Sequence, residues 1–121
     1  MKDIAAIRVL AAGVGVAQGA RVLFSDFADN GPMWSGSGVR EVRRRVEFNG
    51  SFREPPMVHV GISLWDTDHA TNLRADVWAE NVTIAGFDIQ FRTWGDTRIA
   101  RLRADWIAFG PVRDDDQWDV D

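Results

Sequence analysis

The sequence predicts an all-β domain, an antiparallel six-stranded β-sandwich over residues 40–110 with an extra N-terminal arm. Apolar residues recur at every second position through the middle of the chain, and turn signals separate the runs at Asn49-Gly50, Glu54-Pro55-Pro56 and Ala85-Gly86. Length supplies the third observation. At 121 residues the chain makes one domain with room for a core, and it has no cysteine with which to staple itself.

Residues 1–39 are rich in Gly and Ala and end in Gly31-Pro32-Met33-Trp34-Ser35-Gly36-Ser37-Gly38, which reads as loop because Gly and Pro interrupt regular structure. Gly13, Gly15 and Gly19 interrupt any alternation before that loop, so residues 1–20 are expected to form an extended arm that contacts a partner. Removing the arm should leave the sandwich folded. Its start, Met1-Lys2-Asp3 ahead of Val9–Ala17, has a faint signal-peptide outline that Asp3 and Arg8 interrupt.

In the first strand Val42, Val46 and Phe48 oppose Arg43, Arg45 and Glu47. Next, Val58, Val60, Ile62 and Leu64 oppose Met57, His59, Gly61, Ser63 and Trp65, the pattern of a half-buried strand. Across 73–80 the inward set is Leu73, Ala75, Val77 and Ala79, with Arg74, Asp76, Trp78 and Glu80 outward. Phe87, Ile89, Phe91 and Thr93 then oppose Asp88, Gln90, Arg92 and Trp94. Last, Leu102, Ala104, Trp106 and Ala108 oppose Arg101, Arg103 and Asp105. Phe87 and Trp106 are core residues by position. Residues 111–121, with Asp114-Asp115-Asp116 and Asp119, form an acidic tail that reads as solvated.

Composition narrows the function. A net charge of −4 and a pI near 5.1 argue against nucleic acid, whose backbone calls for a basic face. No apolar run is long enough to span a bilayer as a helix. The histidines are His59 and His69, and no Gly-x-Ser-x-Gly, Walker-type or HExxH pattern occurs, so no catalyst and no cofactor are expected. Asp66-Thr67-Asp68-His69 has two readings, a set of metal ligands or a loop in which Asp bonds its own backbone; the second, which assigns no metal, is the one expected. The outward arginines and acids also have two readings, cross-strand pairs on a solvated face or a subunit interface.

The landmarks Phe52-Arg53-Glu54-Pro55-Pro56, Asn72-Leu73-Arg74, Gly86-Phe87, Thr93-Trp94-Gly95-Asp96-Thr97 and Trp106-Ile107-Ala108 keep the order and spacing of one family. The chain resembles the H-type lectin domain, the sugar-binding sandwich of the snail agglutinin and discoidin C-terminal type. That resemblance implies a non-catalytic binder of cell-surface glycans, presented as a homotrimer or a hexamer of paired trimers, outside the cell or on a cell or virion surface.

It also implies a pocket at the boundary between protomers, carried over here to Ser35 and Ser37 of the loop, Arg74, and Trp94 with Gly95. A guanidinium can donate to vicinal hydroxyls, and an indole can pack against the C–H face of a sugar. The sequence departs from the family where Ser37 replaces an acid, Gly95 a histidine and Ala100 an aromatic. Galactose or N-acetylgalactosamine should therefore bind weakly, or another glycan or none should bind. The bland readings are a rim aromatic for Trp94 and an inter-subunit salt bridge for Arg74. The alternative function is a structural or adhesion module of a spike, fibre or virion-like surface assembly, anchored by the arm.

Overall fold

A computed structural model describes residues 3–113. The acidic run at 114–121 lies outside the described residues. The elements are β1 (Asp3–Ala6), β2 (Arg8–Ala11), β3 (Val14–Ser25), a single helical turn α1 (Pro32–Ser35), β4 (Arg40–Asn49), β5 (Met57–Thr67), β6 (Asp76–Glu80), β7 (Gly86–Thr93) and β8 (Ile99–Pro111). They form two four-stranded sheets, ordered β1-β4-β7-β6 (the first sheet) and β2-β3-β8-β5 (the second sheet).

The expected all-β sandwich is present, but the count of six strands is corrected to eight. Among the described residues five strands, β4–β8, follow residue 39, and the other three, β1–β3, come from the segment expected as an arm. β3 lies inside the second sheet and pairs antiparallel with β8 from Val14 opposite Pro111 to Ser25 opposite Arg101. β1 runs parallel to β4, so the first sheet is not purely antiparallel. The glycines that masked β3 answer to packing: a Cβ at Gly19 would lie 2.9 Å from the Trp106 ring, so the strand is bare where the indole crosses it.

The core lies between the sheets. Phe87, Ile89 and Phe91 of β7 face Leu102, Ala104, Trp106 and Ala108 of β8, and all of these are buried. Phe48 sits against Phe52 with centroids 5.0 Å apart, and Phe87 against Trp106 at 5.1 Å, both edge to face. Each such ring contributes about 1.5–3 kcal/mol by leaving water. Leu73 is a correction: the strand expected from 73 begins at Asp76, and Leu73 is exposed on the preceding loop.

The outer faces differ in chemistry. On the first sheet, Arg43 donates to Gln90 at 2.9 Å and Glu80 at 3.0 Å, while Arg45 reaches Asp88 at 3.4 Å. These arginines cover Asp88 and Gln90, which are buried although they lie on the polar side of β7. Arg43, Arg45, Glu80 and Asp88 are thus paired within the chain. On the second sheet, Val22, Met57, Ile107 and Phe109 stand exposed. Register places Met57 and Val16 on either side of Phe109, an apolar row across three strands, with Ile107 beside it between Gln18 and His59.

Candidate functional site

The segment Asn72–Ala75 has no strand partner, so its backbone needs other hydrogen bonds. Two threonines of the next turn supply them. Thr93 Oγ1 donates to the Arg74 carbonyl, Thr97 Oγ1 donates to the Asn72 carbonyl, and the Arg74 N–H donates to Thr97 Oγ1 at 3.0 Å. Both threonines are fully buried. Thr93-Trp94-Gly95-Asp96-Thr97 is therefore a clamp that fixes where the Arg74 side chain emerges.

That side chain lies over Gly95 and bonds to Asp96 through Nη1. Gly95 adopts φ of +70°, and a Cβ there would lie 3.1 Å from Arg74 Nη1, so a side chain at this position would be strained and would press on the guanidinium. The hydrogen bond from Arg74 holds the Asp96 carboxyl below the usual carboxylate range. Arg74 is thus engaged by an acid of its own chain. Sequence reasoning missed Asp96, although its place two residues after Trp94 was a usable signal.

The loop at residues 31–38 is tied to the same turn. The Gly38 N–H donates to the Gly95 carbonyl at 2.9 Å. Arg40, buried at the start of β4, donates through Nε to the Gly38 carbonyl at 3.0 Å and through Nη2 to the Gly95 carbonyl at 3.2 Å. Its Nη1 reaches the Pro32 and Met33 carbonyls at 3.3 Å. Burial lowers the pKa of this guanidinium, yet its carbonyl partners answer its donors. Arg40 was also missed. It stands in phase with Val42 and Val46, and a charge at an inward position was the sign of an internal brace.

The residues carried over from the sequence are thus brought together unevenly. Arg74 and Gly95 touch, and the loop bearing Ser37 adjoins them through Gly38. Ser37 is exposed. Ser35 is committed elsewhere, since its hydroxyl donates to the Asn30 and Gly31 carbonyls at 2.8 and 2.9 Å and closes the α1 turn. Trp94 is about one-third exposed at 37%, and the Arg92 guanidinium lies 5.5 Å from its ring centroid. Ala100 is buried at the start of β8.

In the segment with two readings, Asp68 accepts from the Ala70 N–H at 2.9 Å and from Arg98 Nη1 at 3.1 Å, and the His69 side chain is fully exposed. Asp68 therefore serves the loop. Among the described residues no group of three or more His, Asp or Glu could hold a metal. Arg98 continues to the neighbouring loop, donating to the Trp34 carbonyl at 2.9 Å while its guanidinium stacks 4.2 Å from the Trp34 ring.

Comparison with known proteins adds to this geometry. The chain is 60% identical over 112 residues to a Fuscovulum blasticum protein described as ATP synthase subunits region ORF 7, covering 93% of this chain and 97% of that protein. It is 37% identical over 76 residues to discoidin-2 of Dictyostelium discoideum, covering 61% of this chain but only 29% of the relative. A solved structure of discoidin II from the same organism superposes with a TM-score of 0.69 at 28% identity, over 81% of this chain and 37% of that one. The chain thus spans about a third of the discoidins' length. The H-type lectin domain model matches residues 43–109, more than half of the 121, and with the two-sheet fold just described this establishes that the chain belongs to the H-type lectin domain family.

Proposed function

We propose that this domain is a non-catalytic carbohydrate-binding module that recognises cell-surface glycans as a multivalent homotrimer, outside the cell or on a cell or virion surface. Family membership over residues 43–109 is the observation that carries the reading. The exposed apolar face of the second sheet, with Met57, Ile107 and Phe109, supports the assembly, because burying such a face removes it from water. The paired charges of the first sheet speak for the second as the interface and against the arginine-rich face. In the assembled protein, Arg74 would donate its remaining N–H groups to sugar hydroxyls and Trp94 would offer an apolar platform.

Repetition of one weak site on a trimer raises avidity without new contacts. Saturable binding to a glycan array, competed by free galactose or N-acetylgalactosamine, is the expected result. A blank array with an intact trimer would leave the second reading, a structural or adhesion module of a surface assembly. Two observations favour that second reading: Asp96 already occupies Arg74, and the Ser35 hydroxyl is spent on α1.

A further inference from the structure

At the end of the second sheet opposite Met57, register aligns Ser25 of β3, Arg101 of β8 and Asp66 of β5 in one row across three strands. The alignment depends on bulges. β3 shifts register between Val22 and Phe24, and β5 shifts between Ile62 and Leu64, so both flanking strands are re-aimed against β8 just before the row. Above it the chain lays down Phe27 and Trp34, whose rings meet edge to face at 4.9 Å. Arg98 stacks on Trp34 and is itself held by Asp68, so the indole is fixed in place.

Ser25, Phe27, Trp34, Asp66, Arg101 and Ala100 are among the residues lining a cleft of about 320 Å³, within the usual range for small-molecule sites. Neither the Asp66 carboxylate nor the Arg101 guanidinium makes a hydrogen bond or ion pair with another described residue, and Phe27 is 61% exposed. An exposed Phe27 and a half-buried Trp34 beside an unengaged acceptor and donor set this cleft apart from the Arg74 site, whose guanidinium is already bonded.

We propose that this cleft is a second saccharide site, contained within one protomer. The proposal rests on the carbohydrate-binding reading of the domain and extends it to residues outside the Arg74 turn. A pyranose ring would set its C–H face against Phe27 and Trp34. Asp66 accepts from its hydroxyls, and Arg101 donates to hydroxyl or ring oxygen. Opposite charges side by side select a neutral, polyhydroxylated ligand, because Asp66 repels anions and Arg101 repels cations.

The test is a titration of the full-length ¹⁵N-labelled protein with galactose, N-acetylgalactosamine, glucose and mannose in turn, following the indole N–H signals of Trp34 and Trp94. Each signal is assigned by its loss in Trp34→Phe or Trp94→Phe. At least one sugar is expected to shift Trp34 saturably. Asp66→Asn and Arg101→Ala, both at exposed positions and neutral to folding, should weaken that shift by about tenfold, the weight of a hydrogen bond to a charged group. Arg74→Ala should leave it unchanged. Sugar-dependent shifts at Trp94 with Trp34 silent would overturn the second site while leaving the lectin reading intact. Silence at both would overturn both.

Discussion

At the scale of single residues the site depends on hydroxyl groups more than on charges. Thr97 is fully buried, donates to Asn72 and accepts from Arg74, so Thr97→Val would leave both backbone groups without a partner. Denaturant unfolding of that variant should show a loss of about 1–3 kcal/mol, the cost of burying an unsatisfied polar group. Arg74→Ala should barely change the melting temperature, since its bond to Asp96 is solvent-exposed. It should instead change the titration of Asp96. Because the carboxyl sits below its usual range in the folded protein, the Arg74–Asp96 bond contributes above the unfolded pKa and is lost as pH falls through the folded value. A carbon-detected NMR titration should show the Asp96 carboxyl rising toward an ordinary aspartate in Arg74→Ala. An unchanged carboxyl would mean that the bond does not form in solution.

At the scale of elements, β3 carries more of the fold than its composition implies. It contributes Ala17, Leu23 and Phe24 to the core and pairs along its length with β8. A chain beginning at residue 26 should therefore lose cooperative thermal unfolding, because β8 would expose one edge and the core one wall. Retained cooperativity would mean that the second sheet closes without this strand. The short connection through α1 matters for the same reason. Arg40 braces it by four carbonyl bonds, so Arg40→Met, which keeps the length and removes the donors, should loosen residues 32–38 in hydrogen exchange while leaving β7 and β8 protected.

For the whole molecule, the contrast between the two outer faces decides how copies would meet. The first sheet pairs Arg43 and Arg45 with Glu80 and Asp88, whereas the second displays Met57, Ile107 and Phe109 to solvent. Sedimentation at micromolar concentration should reveal a three-chain species, and Ile107→Lys should convert it to monomer with little change in the secondary-structure spectrum. Monomeric wild-type protein would remove the trimer from the proposed function. The Ser25-Arg101-Asp66 row lies at the other end of the sheet from Met57, so Ile107→Lys should leave sugar shifts at Trp34 in place.

The sequence by itself determined the sandwich, its family and the inward faces of its last two strands. Alternation through 87–93 and 102–108 admits one buried side for each strand, and Phe87, Phe91, Leu102 and Trp106 all lie where that alternation puts them. The family resemblance read from the sequence also pointed to Arg74 and Gly95, which lie against one another in the fold. Only the tertiary structure decided that residues 3–25 hold three strands, since Gly15 and Gly19, which blur the alternation, leave room for Val112 and Trp106 from elsewhere. It likewise decided that Asp96 holds Arg74, that Ser35 is consumed by its own turn, and that bulges bring Asp66 opposite Arg101. A bulge shifts every later side chain by one place, and a period-two pattern carries no mark of a shift that partner strands impose.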